Sequence, residues 1–233
     1  MNRSSINSLI DEAIEFFSYH KLTLPPWAYW TCEQWKDHIN LESFEIRSHG
    51  MGWNITDFGS GDFEKQGLLL FIIRNGLLRD DGTPNDTKTY AEKAMMVRPG
   101  QLTPWHFHWK KTEDLINRGG GRLEVELGWA TEDEQNIASR SVEVQVDGMT
   151  RRIPAGGKII LEPGESVTLP PLLCHQFCGG TKGDKICVGE VSSLNNDNTD
   201  NCFLFGIKPR QIVEDVPRKY WLCFEYPQQF EPR

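Results

Sequence analysis

From Phe44 onward, short apolar runs alternate with turns rich in Gly, Asn, Asp and Pro. This pattern is typical of an all-β sandwich or barrel. Asp147-Gly148 predicts a tight hairpin between residues 142–146 and 149–153, and Pro163-Gly164 predicts another turn. We predict the other strands over residues 52–57, 68–75, 93–97, 101–109, 123–127, 158–161, 166–169, 175–178, 186–191 and 202–204.

The N-terminal part of the chain has a helical pattern instead. Ser4-Ser5 predicts the cap of an amphipathic helix that ends near His20. Its apolar face is Ile6, Leu9, Ile10, Ala13, Ile14 and Phe17. Thr31 predicts the N-cap of a second short helix that ends at His38. We expect a helical extension over residues 1–43, packed on one barrel domain over residues 44–233.

Composition excludes several classes of protein. The 233 residues carry a net charge of −8 and include eight Trp and twelve Phe, so a large core is feasible and disorder is not indicated. The absence of a basic run longer than two residues argues against nucleic acid or an anionic membrane as a partner. Without an apolar signal or a long apolar span, and with six scattered cysteines, the chain is expected to be cytoplasmic with reduced thiols.

The most specific motif begins at Gly100. After five intervening residues come His106 and His108, then Glu113 after four more intervening residues, and Gly120 after a further six. Two imidazoles at i and i+2 on one strand point to the same face, and we expect the carboxylate to return from the following turn. Such a mixed nitrogen and oxygen set suits a divalent first-row metal. The alternative is a pair of surface or packing histidines.

This spacing resembles the first motif of the cupin superfamily. Gly164, five residues, Pro170 and then His175 resemble the second motif, although Leu172 replaces a family glycine and Gly179 a family asparagine. The resemblance implies a jelly-roll-like double-stranded β-helix barrel with a metal inside. It implies four ligands: His106, His108, Glu113 and His175. Four ligands would leave two positions of an octahedron open. Open positions distinguish catalytic from structural metal sites.

The chain also resembles the D-lyxose isomerases, which are sugar-isomerase cupins. The matching stretches are residues 52–59, 113–121 and 189–197. The resemblance implies interconversion of D-lyxose with D-xylulose, and of D-mannose with D-fructose. A divalent ion that chelates O1 and O2 of the sugar would stabilise the enediolate. We expect Mn²⁺, with Co²⁺, Fe²⁺ or Zn²⁺ as alternatives. We also expect a small sugar as substrate, no nucleic acid or membrane partner, and a homodimer.

Two residues are candidates for the proton transfer. Glu190 lies in an apolar stretch, where burying a carboxylate is costly unless it has a partner or a task. It is either a substrate-facing acid or base, or a member of a structural ion pair. Lys93 opens the strand before the metal motif, and is a proton donor, a residue that orients O1, or a solvated surface residue. A proton-transfer route through an enediol is favoured over a metal-assisted hydride shift.

Further residues are candidates for sugar binding. Arg210 and Glu214, with Asp215, form a polar cluster that either contacts sugar hydroxyls or is a solvated turn. Trp105 is a candidate for stacking on the sugar, as are Trp53 and Trp109, with core packing as the alternative. Residues 53–57 either line the mouth of the site or contribute to a dimer interface. Two other functions stay open: an iron-dependent cupin dioxygenase and a non-catalytic sugar-binding cupin.

Overall fold

A computed structural model describes residues 1–38, 44–79, 83–85, 87–180, 183–194 and 199–227. The expected boundary at residue 43 and the 195–197 part of the third matching stretch lie outside these ranges. The helices are α1 (Arg3–Tyr19), a 3₁₀ turn (Pro26–Tyr29), α2 (Cys32–Trp35) and α3 (Phe44–Ser48). No helix within the described residues is long and apolar enough to cross a membrane.

The strands form two antiparallel sheets. The first has the order β1-β2-β3-β12-β5-β10-β7-β8, and the second has the order β13-β4-β11-β6-β9. The strands are β1 (Gly52–Thr56), β2 (Leu68–Arg74), β3 (Tyr90–Val97), β4 (Leu102–Phe107), β5 (Glu113–Gly120), β6 (Leu123–Trp129), β7 (Val142–Val146), β8 (Met149–Ile153), β9 (Gly157–Leu161), β10 (Ser166–Leu169), β11 (Leu173–Gly179), β12 (Ile186–Ser193) and β13 (Cys202–Phe203). The prediction of an all-β, cupin-type fold is confirmed.

The eight-stranded sheet buries apolar side chains on both faces where β2 and β3 lie. Leu70 and Met95 pack into the main core between the sheets. Leu69 and Met96, one residue away in sequence, point to the opposite face and pack with α1, because successive side chains of a strand alternate between its faces. The continuous apolar runs of β2 and β3 therefore reflect burial on two sides.

The first helix starts one residue before the predicted Ser4-Ser5 cap. Its N-cap is Asn2, whose side chain makes no capping hydrogen bond. The C-terminal segment supplies the acceptor instead, because the backbone N–H and hydroxyl of Ser4 donate to the carboxylate of Asp215 at 3.0 and 2.6 Å. The predicted buried face of α1 is confirmed at five of its positions: Ile6, Leu9, Ile10, Ala13 and Phe17.

Local sequence signals predicted the β7–β8 turn and the start of α2. Asp147 and Gly148 have φ values of 49° and 77°, as a type I′ hairpin turn requires, and they connect β7 to β8. Thr31 caps α2 through a capping box with Gln34, although this helix ends at Trp35 rather than at the predicted His38.

The sequence did not reveal β5. This strand lies at the centre of the larger sheet, between β12 and β10. Its inward positions alternate Glu113, Leu115 and Asn117, all buried. Because two of these three side chains are polar, the apolar alternation that identifies a half-buried strand is absent. The expectation that Glu113 lies in a turn is therefore wrong: it is the first residue of a strand.

Candidate metal centre and active site

Three histidines and a glutamate meet between the two sheets. His106 on β4 and His175 on β11 are cross-strand partners in the smaller sheet, and His108 follows just after β4. Glu113 comes from the larger sheet, at the start of β5. One ligand atom from each residue lies within 4.8 Å of the others, so the structure brings the four predicted ligands together.

Backbone carbonyls fix the orientation of all three imidazoles. Nδ1 of His106 donates to the carbonyl oxygen of Pro104 at 2.8 Å, and Nδ1 of His175 donates to that of Leu173 at 3.1 Å. Nδ1 of His108 donates to the carbonyl oxygen of Asp200 at 2.7 Å. Because the carbonyls accept only, each ring keeps its lone pair on Nε2, the nitrogen available to a metal.

The buried nitrogens fit a divalent cation. Nε2 of His108 and Nε2 of His175 are buried and make no hydrogen bond within the described residues. They lie 3.4 and 3.0 Å from Oε1 of Glu113. Burial, reinforced by the neighbouring His175 and His108, holds the pKa of His106 well below its usual value. A neutral imidazole is the form that binds a metal.

Lys111 balances the charge of Glu113. Its Nζ lies 2.6 Å from Oε2 of that carboxylate, and both side chains are buried. Burial alone would raise the pKa of Glu113, but the charge of Lys111, together with the neighbouring His108, more than offsets it and holds this pKa well below the usual range. Glu113 is therefore a carboxylate at neutral pH, the form that a metal requires.

A chain of charged groups continues from Lys111 along the interior. Its Nζ also lies 3.0 Å from Oε1 of Glu190. Nζ of Lys93 lies 3.1 Å from the same oxygen. Lys93 and Glu190 are cross-strand partners on β3 and β12, and both are buried. The predicted catalytic pair thus points inward, and Lys111 connects it to the metal ligands.

One cavity of about 940 Å³ is lined by Lys93, Lys111, Glu190 and three of the four ligand residues, His106, His108 and Glu113. Its wall also contains Arg210, whose Nη2 donates to Oδ1 of Asn54 at 2.8 Å. The Arg210 guanidinium lies over the ring of Phe224, 4.3 Å from its centroid. Asn54 and Thr56 on β1 belong to the same wall, so this part of residues 53–57 lines the cavity.

Two predicted sugar-binding residues are not in the cavity wall. Trp105 packs against Phe107, Cys174 and Leu204, so it does not lie beside His106 in the cavity. Glu214 accepts hydrogen bonds from Arg3 at 2.8 and 2.9 Å and from Arg218, and these partners hold it outside the cavity lining. We therefore correct both assignments.

The other tryptophan candidates serve the core and the surface. Nε1 of Trp53 donates to the carbonyl oxygen of Ala28 at 2.9 Å, and its ring is buried beside Phe17. Trp109 is partly exposed and donates to Glu134 at 3.0 Å. Neither residue lines the cavity.

The two departures from the second cupin motif have local explanations. Leu172 stands where a glycine is expected, and its φ of 64° lies in the left-handed region. It keeps that turn conformation while its N–H donates to the carbonyl oxygen of His108 at 2.8 Å. At Gly179, a Cβ atom would lie 2.3 Å from the carbonyl oxygen of Arg98, so no larger residue fits there without movement.

Comparison with known proteins assigns the family. The model of the D-lyxose isomerase family matches residues 1–226. The chain belongs to this family. It is 42% identical over 229 residues to the D-lyxose/D-mannose isomerase of Escherichia coli O157:H7, with 98% of this chain and 99% of the relative covered. It is 40% identical to the D-lyxose/D-mannose isomerase of Serratia proteamaculans, with 97% and 98% covered.

Solved structures of lower sequence identity share the fold. The L-ribose isomerase of Cellulomonas parahominis, solved without ligand, aligns with a TM-score of 0.58 at 17% identity, with 91% of this chain and 98% of that chain covered. The L-ribose isomerase of Geodermatophilus obscurus aligns with a TM-score of 0.51 at 16% identity, with 87% and 92% covered.

Two residues of the site were missed in the sequence. Lys111 lies only two positions before Glu113, and a lysine so close to a ligand carboxylate was a usable signal. Asp200 accepts hydrogen bonds from the N–H groups of Lys110 and Lys111, both at 2.9 Å. Its loop position, 92 residues after His108, gave no local signal of this contact.

Proposed function

We propose that this protein is a divalent-metal-dependent aldose–ketose isomerase that interconverts D-lyxose and D-xylulose, and D-mannose and D-fructose. One observation carries the proposal: a buried three-histidine, one-glutamate ligand set lies beside a buried lysine–glutamate–lysine chain in the same cavity. The names of the relatives from E. coli O157:H7 and Serratia proteamaculans support this choice of sugars.

The metal would be held by His106, His108, Glu113 and His175. A mixed set of imidazole and carboxylate ligands is compatible with Mn²⁺, which we propose as the ion, and with Co²⁺, Fe²⁺ or Zn²⁺. When bound, a divalent ion supplies positive charge that stabilises the negative charge developing on the sugar oxygens. The protein supplies the groups that transfer protons.

Glu190 is the proposed acid and base. Lys93 and Lys111 both contact Oε1 of this carboxylate, at 3.1 and 3.0 Å, which leaves Oε2 as the atom that takes a proton. In the proposed reaction, Glu190 removes the proton from C2 of the open-chain aldose. An enediol with a C1–C2 double bond forms, and Glu190 returns the proton to C1. General acid–base groups of this kind contribute about 10²–10⁴-fold to a rate.

The two lysines complete the proton balance. O1 gains a proton as the aldehyde becomes an alcohol, and O2 loses one as the alcohol becomes a ketone. In this proposal the Lys93 ammonium donates a proton to O1 and then, as the neutral amine, takes the proton that O2 releases, while Lys111 holds the position of Glu190 relative to Glu113. Both lysines are buried, so each ammonium group replaces water as the donor near the reacting carbons.

The proposal is tested by measuring the conversion of several sugars with each of several metals. The protein is stripped with a chelator, dialysed, reloaded with Mn²⁺, Co²⁺, Fe²⁺ or Zn²⁺, and given lyxose, mannose, xylose or ribose. We expect ketose from D-lyxose and D-mannose, none after stripping, and recovery with Mn²⁺. Absence of exchange for every sugar and metal would contradict isomerase activity. Oxygen uptake in the Fe²⁺ sample would favour a dioxygenase, and sugar binding without turnover would favour a binding protein.

A further inference from the structure

Asp200 is a buried carboxylate beside the metal ligands that the proposed reaction does not use. It lies just before β13, with only 9% of its surface exposed. Within the described parts of the chain, it forms no ion pair with a basic side chain. Burying a carboxylate is costly unless hydrogen bonds compensate the charge, so its contacts indicate its task.

Those contacts all go to one turn. The N–H groups of Lys110 and Lys111 donate to Oδ1 and Oδ2 of Asp200, each at 2.9 Å. The backbone carbonyl oxygen of Asp200 accepts from Nδ1 of His108 at 2.7 Å. One residue therefore satisfies three donors within the four residues that lead from β4 toward Glu113.

This turn determines the positions of two functional groups. His108 offers its other nitrogen, Nε2, to the metal, so the hydrogen bond at Nδ1 fixes both its tautomer and the direction of its lone pair. Lys111 places its Nζ between Glu113 and Glu190. A shift of the turn would therefore move a metal ligand and the lysine beside the acid–base carboxylate together.

We propose that Asp200 is a positioning residue of the metal centre, which holds the His108 imidazole through its carbonyl and the Lys110–Lys111 backbone through its carboxylate. This inference rests on the proposed metal-dependent isomerase function. Loss of a hydrogen-bonding partner behind a metal ligand typically weakens metal binding by about 10–100-fold.

Asp200→Asn is the first test variant. The amide keeps the size of the side chain and one acceptor oxygen but places an NH₂ group against one of the two backbone N–H groups. Asp147→Asn is the matched control, because Asp147 accepts from the N–H and hydroxyl of Ser166 at 3.2 and 2.7 Å in the β7–β8 turn, which is not part of the cavity wall. Wild type and both variants are compared as full chains.

Three readouts separate positioning from simple stabilisation. Metal affinity is measured by titrating stripped protein with Mn²⁺, and ligand geometry by the visible absorption spectrum of Co²⁺-loaded protein. The third readout is thermal unfolding of stripped protein. Asp200→Asn keeps the carbonyl that holds His108 but disturbs the backbone turn bound by the carboxylate. We therefore expect Mn²⁺ binding to weaken by about tenfold, the lower end of the range of about 10–100-fold, and the Co²⁺ spectrum to change, whereas Asp147→Asn leaves both as in the wild type.

Unchanged Mn²⁺ affinity and an unchanged Co²⁺ spectrum in Asp200→Asn would overturn the proposal, even if the stripped variant melts at a lower temperature. If that variant does not fold, Asp200→Ser takes its place, and hydrogen exchange of wild-type protein is measured as well. Fast exchange of the Lys110 and Lys111 amides would overturn the proposal, and slow exchange would support it. Wild-type turnover with Mn²⁺, recorded in parallel, separately tests the isomerase function.

Discussion

Lys93 on β3 and Glu190 on β12 are directly opposite each other in the larger sheet, and Nζ of the lysine lies 3.1 Å from Oε1 of the glutamate. Opposite charges at such cross-strand positions normally contribute only modestly to stability. Here both side chains are buried and line the cavity. Lys111 joins the pair and connects it to the ligand Glu113.

Glu190→Gln removes the proposed acid and base while keeping the shape of the side chain. We expect the turnover number with D-lyxose to fall by about 100-fold or more, because an amide cannot accept the proton from C2. Mn²⁺ affinity should stay near that of the wild type, since Glu190 is not a ligand. Steady-state kinetics and a metal titration check these outcomes.

Glu143→Gln is the control for that variant, because Glu143 is an exposed residue paired with Arg152 on the β7–β8 hairpin. It should leave turnover unchanged. Turnover in Glu190→Gln within a few-fold of the wild type would exclude Glu190 as the base and favour a hydride shift.

Arg210→Met tests whether Arg210, in the cavity wall, binds the sugar. Loss of a charged hydrogen-bond donor costs about 1.5–3 kcal/mol, so we expect KM for D-lyxose to rise by about tenfold or more while kcat changes little. The variant keeps apolar contact with Phe224. Arg152→Met, on exposed β8, is the control. A fall in kcat with KM unchanged would instead place Arg210 at the reacting carbons.

Trp105→Phe tests the correction made from the structure. The Trp105 side chain packs with Phe107, Cys174 and Leu204 rather than lining the cavity. We expect unfolding free energy to fall by about 1–2 kcal/mol from lost packing, with kcat/KM for D-lyxose within about twofold of the wild type. A large rise in KM with unchanged stability would instead indicate that Trp105 contacts the sugar.

The stability contributed by Glu214 should depend on pH. Hydrogen bonds from Arg3 and Arg218 lower the pKa of Glu214 from 4.5 to about 2. Because the folded-state pKa is below the unfolded one, this stabilisation is complete above about pH 4.5 and is lost as the pH falls toward 2.

Glu214→Gln measures this effect. The carboxylate is 42% exposed, so solvent screening limits the loss of unfolding free energy to about 1 kcal/mol at pH 6. The difference between variant and wild type should shrink by about half or more at pH 3. Urea unfolding at both pH values checks it, and a difference that stays constant or grows on acidification would contradict the ion-pair explanation.

Periodicity and turn signals predicted most of the strands, and spacing indicated His106, His108 and Glu113, whereas His175 came from the resemblance to the second cupin motif. Strands such as β7 and β10 alternate clearly between apolar and polar residues, and the histidine spacing places His106 and His108 without any long-range information. Strand β5 was not predicted because two of its interior-facing residues, Glu113 and Asn117, are polar. Glu113 is a candidate metal ligand, and Asn117 forms hydrogen bonds with the backbone. Asn117 donates from Nδ2 to the carbonyl oxygens of Gly121 and Leu161, both at 2.9 Å.

Contacts between distant parts of the chain were not predictable from local patterns. Its closeness to Arg210 in sequence predicts that Glu214 belongs to a sugar-binding cluster, yet its side chain pairs with Arg3, 211 residues away, and with Arg218. Asp200 lies just before β13, which pairs with β4, and this pairing brings it to Lys111. A single sequence records which groups are charged but not which of them the topology brings into contact.

Conversion of D-lyxose in deuterium oxide tests the central claim most directly. Stripped protein is reloaded with Mn²⁺, and the product is analysed by NMR for its identity and for deuterium at C1. We predict D-xylulose that carries deuterium at C1, because the Glu190 proton exchanges with solvent before its return. Complete retention of the original C2 hydrogen at C1 would contradict proton transfer through Glu190, and absence of D-xylulose with metal restored would contradict the proposed lyxose isomerase activity.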